Sequence, residues 1–447
     1  MEQPPQPTPE HSRGRPLLGP WGMALLFLVT VTVIWTSVDR YQDPVGEKNV
    51  LLMPPGGADF FPVFSGSRAL VLGANPYLND IPEFDDLWQR YWGAMDGKPF
   101  KTNYFPAHHL LYLPLALWTA DWREASRVLF FINVVMLFGL AAVTWWLLGD
   151  VLGWTGQTRR FSLSLIPLFF VVIATNIASG LALERGDAGD IAGALMLWGS
   201  IALFVKGHRF APMFLAVTAT LLKGYGAVFV LGLGALCLTR RSWKQALAGV
   251  VAALVIFVLP VAHYLPEWWT WAQFRFNLYV PAATWLNVSF PALFRNLAAP
   301  LEKPGSLLMT GTYLLTSLAC WVRARKAASR ELAGTGTLWL CLFGLTSLTP
   351  MLAAAPLSLL YNLVIMIPGA LILFLATETF GQATHLPPPV MPIVGTLQLV
   401  TAFLLFKMKL GSPYISMAAI SLIVMVLTIA GCMLWGARRT PVLREPG

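Results

Sequence analysis

Long apolar stretches alternate with short polar segments along most of the chain. A helix needs roughly 20 consecutive apolar residues to cross a hydrocarbon core of about 30 Å. The stretches that approach this length predict membrane-spanning helices at residues 21–37, 128–148, 161–181, 189–206, 246–264, 306–322, 335–352, 357–376, 389–406 and 413–436.

Two further apolar stretches do not fit a single straight span. The stretch at 210–238 is too long for one helix and contains Lys-Gly-Tyr-Gly at 223–226, so we expect two shorter helices that meet at a turn. The stretch at 106–120 is short for a span, which favours a re-entrant or surface-lying helix, with a genuine crossing as the alternative. The pattern predicts an all-α polytopic membrane protein with about twelve transmembrane helices.

Composition supports this fold class. Hydrophobic residues make up 56% of the chain, charged residues only 12%, and the mean hydropathy is +0.62. A water-soluble surface cannot be built from so few polar residues. The four cysteines lie in apolar runs without paired spacing, so neither a disulfide framework nor a metal motif is predicted.

The net charge of +9 comes from short basic clusters between the apolar stretches. The positive-inside rule explains such clusters, so we infer no nucleic-acid partner. The basic clusters are at 159–160, 206–209, 240–244, 323–326 and 438–439. If the stretch 106–120 does not cross the membrane, both termini and all these clusters face the cytoplasm. The predicted organisation is then a disordered cytoplasmic tail at 1–20, one transmembrane domain at 21–436, extracytoplasmic loops at 38–105 and 265–305, and a cytoplasmic tail at 437–447.

The first large loop contains the most informative carboxylate. Residues 57–68 read as a turn followed by a short amphipathic helix, with Asp59 at its start. A helix N-terminus favours the ionised carboxylate, which suits a general base that accepts a proton from a hydroxyl. The alternative is that Asp59 only caps the helix.

Three features in this loop resemble a known family. Asp59 precedes an aromatic-rich helix, Gly-x-Asn-Pro-Tyr follows at 73–77, and Tyr104-Phe-Pro opens an apolar helix. This order resembles the first loop of the GT-C superfamily, most closely glycosyltransferase family 87. The resemblance implies a GT-C-type bundle whose first extracytoplasmic loop bears surface helices. It also implies a polyprenyl-phosphate sugar donor, most often of mannose, transfer on the extracytoplasmic face, and Asp59 as catalytic base.

The resemblance extends over residues 20–370. Glu-Arg-Gly-Asp at 184–187 is similar to a Gly-Gln-x-Asn or Arg-Gly-Asn pattern, and Lys-Gly-Tyr at 223–225 to Lys-x-Tyr-Pro. Tyr361 and Asn362 stand where the family often has two histidines, and Asp187 stands where it has an amide. If a histidine there contacts the donor phosphate, this chain must use another group.

Several residues are candidates for substrate binding. A departing polyprenyl phosphate needs cations or hydrogen-bond donors nearby, which suits Arg185 and Lys223. The alternatives are an ion pair of Arg185 with Asp187 or Asp190, and a Lys223 that snorkels to the interface. Residues that could also contact substrate are Tyr104, His108, His109, Asp187, Tyr361 and Asn362.

Adjacent histidines point about 100° apart on a helix, so His108 and His109 are not expected to share one metal ion. No Asp-x-Asp, His-x-x-x-His or glycine-rich phosphate loop occurs. The sequence therefore predicts no cofactor and no metal site, and leaves the metal requirement open. The expected partners are a lipid-linked sugar donor, a glycolipid or glycan acceptor and the lipids of the inner (plasma) membrane.

Two other classes compete with the enzyme. A transporter or flippase of lipid-linked sugars would also be polytopic, but we see no two-fold internal repeat of the kind that many transporters show. A noncatalytic assembly protein for envelope polymers is the third reading, which the departures at Tyr361 and Asn362 leave open.

Overall fold

The computed structural model describes most of the central part of the chain. The described residues are 60–77, 104–174, 179–180, 182–183, 186, 189–224, 226–239, 242–278, 291, 294, 299–328, 334–354, 360–376, 379–380, 384 and 427–432. Within these ranges the regular structure is helical throughout, without strands. The prediction of an all-α protein is confirmed.

The α-helices in the described ranges are, in chain order, α1 (Phe60–Val71), α2 (Pro106–Leu111), α3 (Leu113–Trp118), α4 (Trp122–Val151), α5 (Gly156–Phe161), α6 (Leu165–Ala174), α7 (Asp190–Val205), α8 (Phe210–Lys223), α9 (Ala227–Thr239), α10 (Trp243–Phe257), α11 (Leu265–Leu278), α12 (Glu302–Ala328), α13 (Thr335–Ala354) and α14 (Ile367–Leu375). Short 3₁₀ helices span Ser162–Ser164, Leu259–Tyr264, Ala299–Leu301 and Leu360–Met366.

Within the part of the chain that the structure describes, two helices are long and apolar enough to cross a membrane by themselves, namely Trp122–Val151 and Glu302–Ala327. A third candidate is the pair Trp243–Phe257 and Leu259–Thr270, which is bent by 52°. The other apolar helices in the described ranges have 10–17 residues. At 1.5 Å per residue, such helices are shorter than the roughly 30 Å core.

The stretch 210–238 consists of two helices, as predicted, and the first of them ends at Lys223. Gly224 ends α8 in the left-handed conformation with φ 73°, a region that favours glycine. The stretch 106–120 contains two helices of six residues each. Each six-residue helix is only about 9 Å long.

The main core is built around α7. Trp198 is fully buried there, and its indole N–H donates to the carbonyl of Ile365 at 2.6 Å. The helices α4, α6, α9, α13 and α14 contribute leucine, isoleucine and phenylalanine side chains to the same core, and α8 contributes Met213 and alanines. Gly344 and Gly369 lie so close to this core that a Cβ at either position would sit 2.7 Å from a side-chain carbon of Ile201 or Trp198 respectively.

A second, smaller core joins α1, α2 and α3, together called the first-loop helices, to the start of α4. Phe60 and Phe64 of α1 are fully buried in it, and Tyr112 and Ala116 contribute from the α2–α3 segment. Trp122 of α4 completes it, with its ring 5.5 Å from Phe61. The first-loop helices therefore pack at the end of the bundle where α4 begins.

Basic side chains lie at the opposite end. The ammonium of Lys206 and the guanidinium of Arg159 are 4.8 Å and 5.1 Å from the ring of Trp146, near the end of α4. Arg323 stacks on Trp339 at 4.7 Å, close to the start of α13. The bundle thus has a basic end and an end covered by the first-loop helices.

Candidate functional site

The structure describes some of the predicted site residues and not others. Asp59, Arg185 and Asp187 lie outside the described residues, and so do the side chains of Tyr361 and Asn362, whose backbone belongs to a 3₁₀ helix. The described candidates are Tyr104, His108, His109 and Lys223.

Lys223 lies in an ion pair that a helical hairpin creates. The 16-residue α7 and the 14-residue α8 are joined by a short turn, so the first residue of α7 meets the last residue of α8. The Nζ atom of Lys223 lies 3.2 Å from Oδ2 of Asp190, and the two side chains are 14% and 0% exposed. Each charge also has the sign that its helix terminus favours.

His108 stands beside this pair. Its Nδ1 is 3.0 Å from the carbonyl oxygen of Leu222, and since a carbonyl only accepts, Nδ1 must be protonated. The imidazole is fully buried between Tyr104, at 4.7 Å, and Tyr112, at 5.7 Å. The three segments that contain His108, Lys223 and Asp190 therefore converge at one place.

Gly189 allows this close approach. A Cβ there would lie 2.7 Å from Cε1 of His108 and 2.7 Å from Cε of Lys223. Carbon atoms normally pack at about 3.5–4.0 Å. Only a glycine at position 189 leaves room for both side chains.

Tyr104 connects the pair to the first loop. Its ring centroid is 5.7 Å from Nζ of Lys223, and its carbonyl oxygen accepts the hydroxyl of Tyr77 at 2.7 Å. The backbone N–H of Tyr77 donates to the side chain of Asn75 at 2.9 Å. The Gly-x-Asn-Pro-Tyr segment is thus an Asx-type turn that orients Tyr77.

His109 has a different set of contacts. Its Nδ1–H donates to the carbonyl of Val63 at 3.1 Å, and its own carbonyl accepts Ser67 Oγ at 2.9 Å. Burial lowers the pKa of His109 to about 4, against the opposing effect of the hydrogen bond to Val63. A neutral His109 therefore joins α1 to α2.

The Nδ1 atoms of the two histidines face different carbonyl oxygens, those of Leu222 and Val63. Among the described residues, no group of three His, Cys, Asp or Glu side chains has a geometry that could hold a metal.

Two acidic residues at this end were not predicted as site residues. Asp190 was named only as one possible ion-pair partner of Arg185, the other being Asp187, whereas the structure pairs Asp190 with Lys223. The similar lengths of α7 and α8 were a signal for this pairing. Glu267, in the first turn of α11, lies close enough for its charge to add to the effect of burial, which raises the pKa of Tyr77.

The site combines a partly exposed cation with aromatic rings, at the end of the bundle opposite Arg159, Lys206 and Arg323. Such a group can bind an anion at its positive side. No protein-family model, curated protein or solved structure matches this chain.

Proposed function

We propose that this chain is a membrane glycosyltransferase. It moves a sugar, with mannose as first choice, from a polyprenyl-phosphate donor to a hydroxyl of a glycolipid or cell-envelope glycan. The observation that carries the proposal is the convergence of Lys223, His108 and Tyr104 beside the first-loop helices. Tyr104 and His108 lie more than a hundred positions before Lys223 in the sequence, and each of the three was expected to contact substrate.

The membrane setting rests on several observations. The outward surfaces of α4 and α12 are apolar, with Val135 and Leu315 each 70% exposed. Arg159, Lys206 and Arg323, which belong to three of the basic clusters, lie at one end of the bundle. The positive-inside rule places such residues on the cytoplasmic side, so the proposal assigns this end to the cytoplasm. The proposed topology is a bundle of about twelve spans in the inner (plasma) membrane, with cytoplasmic termini and an extracytoplasmic site.

The proposed reaction is a displacement with inversion at the anomeric carbon. Asp59, the residue before the first residue of α1, takes the proton of the acceptor hydroxyl. The acceptor oxygen forms the new glycosidic bond while the bond from the sugar to the phosphate oxygen breaks. The polyprenyl phosphate leaves with the electron pair.

The positive groups stabilise the departing phosphate. The ammonium of Lys223, which lies 3.2 Å from Asp190 and is 14% exposed, supplies the positive charge beside the leaving phosphate in this proposal. The proposed binding role extends to Arg185, Asp187, Tyr361 and Asn362. The proposal includes no cofactor and leaves the metal requirement of this step open.

Replacement of Asp59 by Asn tests the proposal. The purified protein in lipid nanodiscs is given radiolabelled polyprenyl-phosphate sugars and a membrane lipid extract. Asp59→Asn should lower the transfer rate by about 10²–10⁴-fold, the usual contribution of a general base, while donor binding persists. A matched control is Asp121→Asn, because Asp121 caps α4 by accepting the N–H of Arg123 at 2.8 Å and asparagine caps equally well.

Two results would count against an enzyme. One is that the wild-type protein transfers no sugar from any donor. The other is that Asp59→Asn is as active as Asp121→Asn. A flippase would show donor translocation across vesicles that neither substitution changes.

A further inference from the structure

Glu267 lies where α11 meets the first loop. The neighbouring Trp268 packs edge-on against Phe105, with ring centroids 4.9 Å apart. The charge of Glu267 raises the pKa of Tyr77 in addition to the larger effect of burial. Tyr77 in turn donates to the carbonyl of Tyr104. Glu267 therefore flanks the site on the side formed by the first loop and α11.

The described structure shows no stabilising partner for one oxygen of the Glu267 carboxylate. Its Oε2 is buried, and no described contact gives this oxygen a hydrogen-bond donor. Asp121 offers a comparison, since its carboxylate accepts a backbone N–H at its own helix start. A buried carboxylate oxygen without a donor costs free energy, and such groups occur at functional sites.

The negative charge of Glu267 indicates which kind of molecule this side chain can bind. An ionised carboxylate only accepts hydrogen bonds and repels a phosphate, so it suits a neutral molecule with several hydroxyl donors. Lys223 has the opposite charge and suits the phosphate. The two sides of the site thus differ in the chemistry that they can bind.

Aromatic rings beside Glu267 match the other face of such a molecule. Trp268 and Trp269 follow it directly, their ring centroids are 6.0 Å apart, and Trp269 is 54% exposed. A sugar ring presents apolar C–H groups on its faces and hydroxyl donors at its edge. An aromatic surface next to a carboxylate is complementary to both.

We propose that Glu267 accepts hydrogen bonds from the hydroxyls of the acceptor sugar, and that the first turn of α11 is the acceptor subsite. The identification of the bound sugar as the acceptor rests on the proposed function. The underlying sugar binding is independent of catalysis and is tested separately.

The test uses Glu267→Gln, which keeps the shape of the side chain and removes its charge. Its matched control is Glu302→Gln, the same change in the first turn of α12. Both variants are made in the Asp59→Asn background, reconstituted in nanodiscs and titrated with methyl α-D-mannoside, methyl β-D-glucoside and methyl α-D-galactoside. Binding is measured by saturation-transfer NMR.

We expect at least one glycoside to bind, with about 10- to 100-fold weaker affinity after Glu267→Gln and unchanged affinity after Glu302→Gln. Glu267→Asp, which keeps the charge on a shorter side chain, should bind with intermediate affinity. The inference is overturned if no glycoside binds the parent protein, or if Glu267→Gln binds as tightly as the control.

Kinetics separate this inference from the proposed function. With Asp59 present, Glu267→Gln should raise the KM for the acceptor about tenfold or more and leave the KM for the donor unchanged. A merely structural residue would change both constants together, which would contradict the acceptor role. If no donor supports transfer, the proposed function fails while glycoside binding still decides the role of Glu267.

Discussion

Replacing Gly189 by alanine should disturb the site directly. The new Cβ would lie 2.7 Å from carbon atoms of both His108 and Lys223. Against the usual carbon–carbon contact, this is an overlap of about 1 Å on each side. Neither neighbour can yield easily, because His108 is fully buried and Lys223 would have to leave Asp190.

The size of the effect follows from these contacts. Overpacking a tight site costs about 1–3 kcal/mol. Gly189 is also the N-cap of α7, where alanine is less favourable than glycine by about 0.5–1 kcal/mol. The free energy of unfolding should therefore fall by about 1.5–4 kcal/mol, and donor binding should weaken.

Gly193 provides the control, one turn further along α7. A Cβ there has no atom within 4 Å, and alanine favours a helix by about 1 kcal/mol. Denaturant titration of both variants in mixed micelles, followed by far-UV circular dichroism, should show Gly189→Ala destabilised and Gly193→Ala unchanged or stabilised. Equal stability of the two variants would refute the close approach at Gly189.

Two further predictions concern charged groups at the same end. Lys223→Met removes the cation from a buried carboxylate and should lower the free energy of unfolding by about 3–5 kcal/mol. Adding Asp190→Asn to this variant should recover part of the loss. If the losses from the two single substitutions simply add in the double variant, the ion pair is contradicted. The pKa of His109 is about 4 in the folded protein and about 6.5 when unfolded. Its contribution to stability is therefore complete above pH 6.5 and declines, by on the order of 3 kcal/mol, as the pH falls to 4. Unfolding titrations between pH 7.5 and 4 should show this loss in the wild-type protein but not in His109→Gln. If the free energy of unfolding of His109→Gln declines as steeply with falling pH, His109 is excluded as the source of the loss.

His108 and His109 illustrate the limit of local reasoning. As neighbours in sequence they looked alike, and both were candidates for substrate contact. The fold gives His108 the carbonyl of Leu222 on α8 and gives His109 the carbonyl of Val63 on α1. Their different surroundings depend on residues far away in sequence, which no local pattern reveals.

The sequence by itself determined the helical class, the break between α8 and α9, and the short basic clusters between the apolar stretches. These properties follow from hydrophobic length, glycine conformation and charge, each of which acts over a few neighbouring residues. Only the tertiary structure decided that Asp190 pairs with Lys223, that Gly189 touches His108, and that Glu267 flanks the first loop. Such contacts arise when separate helices pack, so side-chain volume and distance between segments fix them rather than any pattern within one segment.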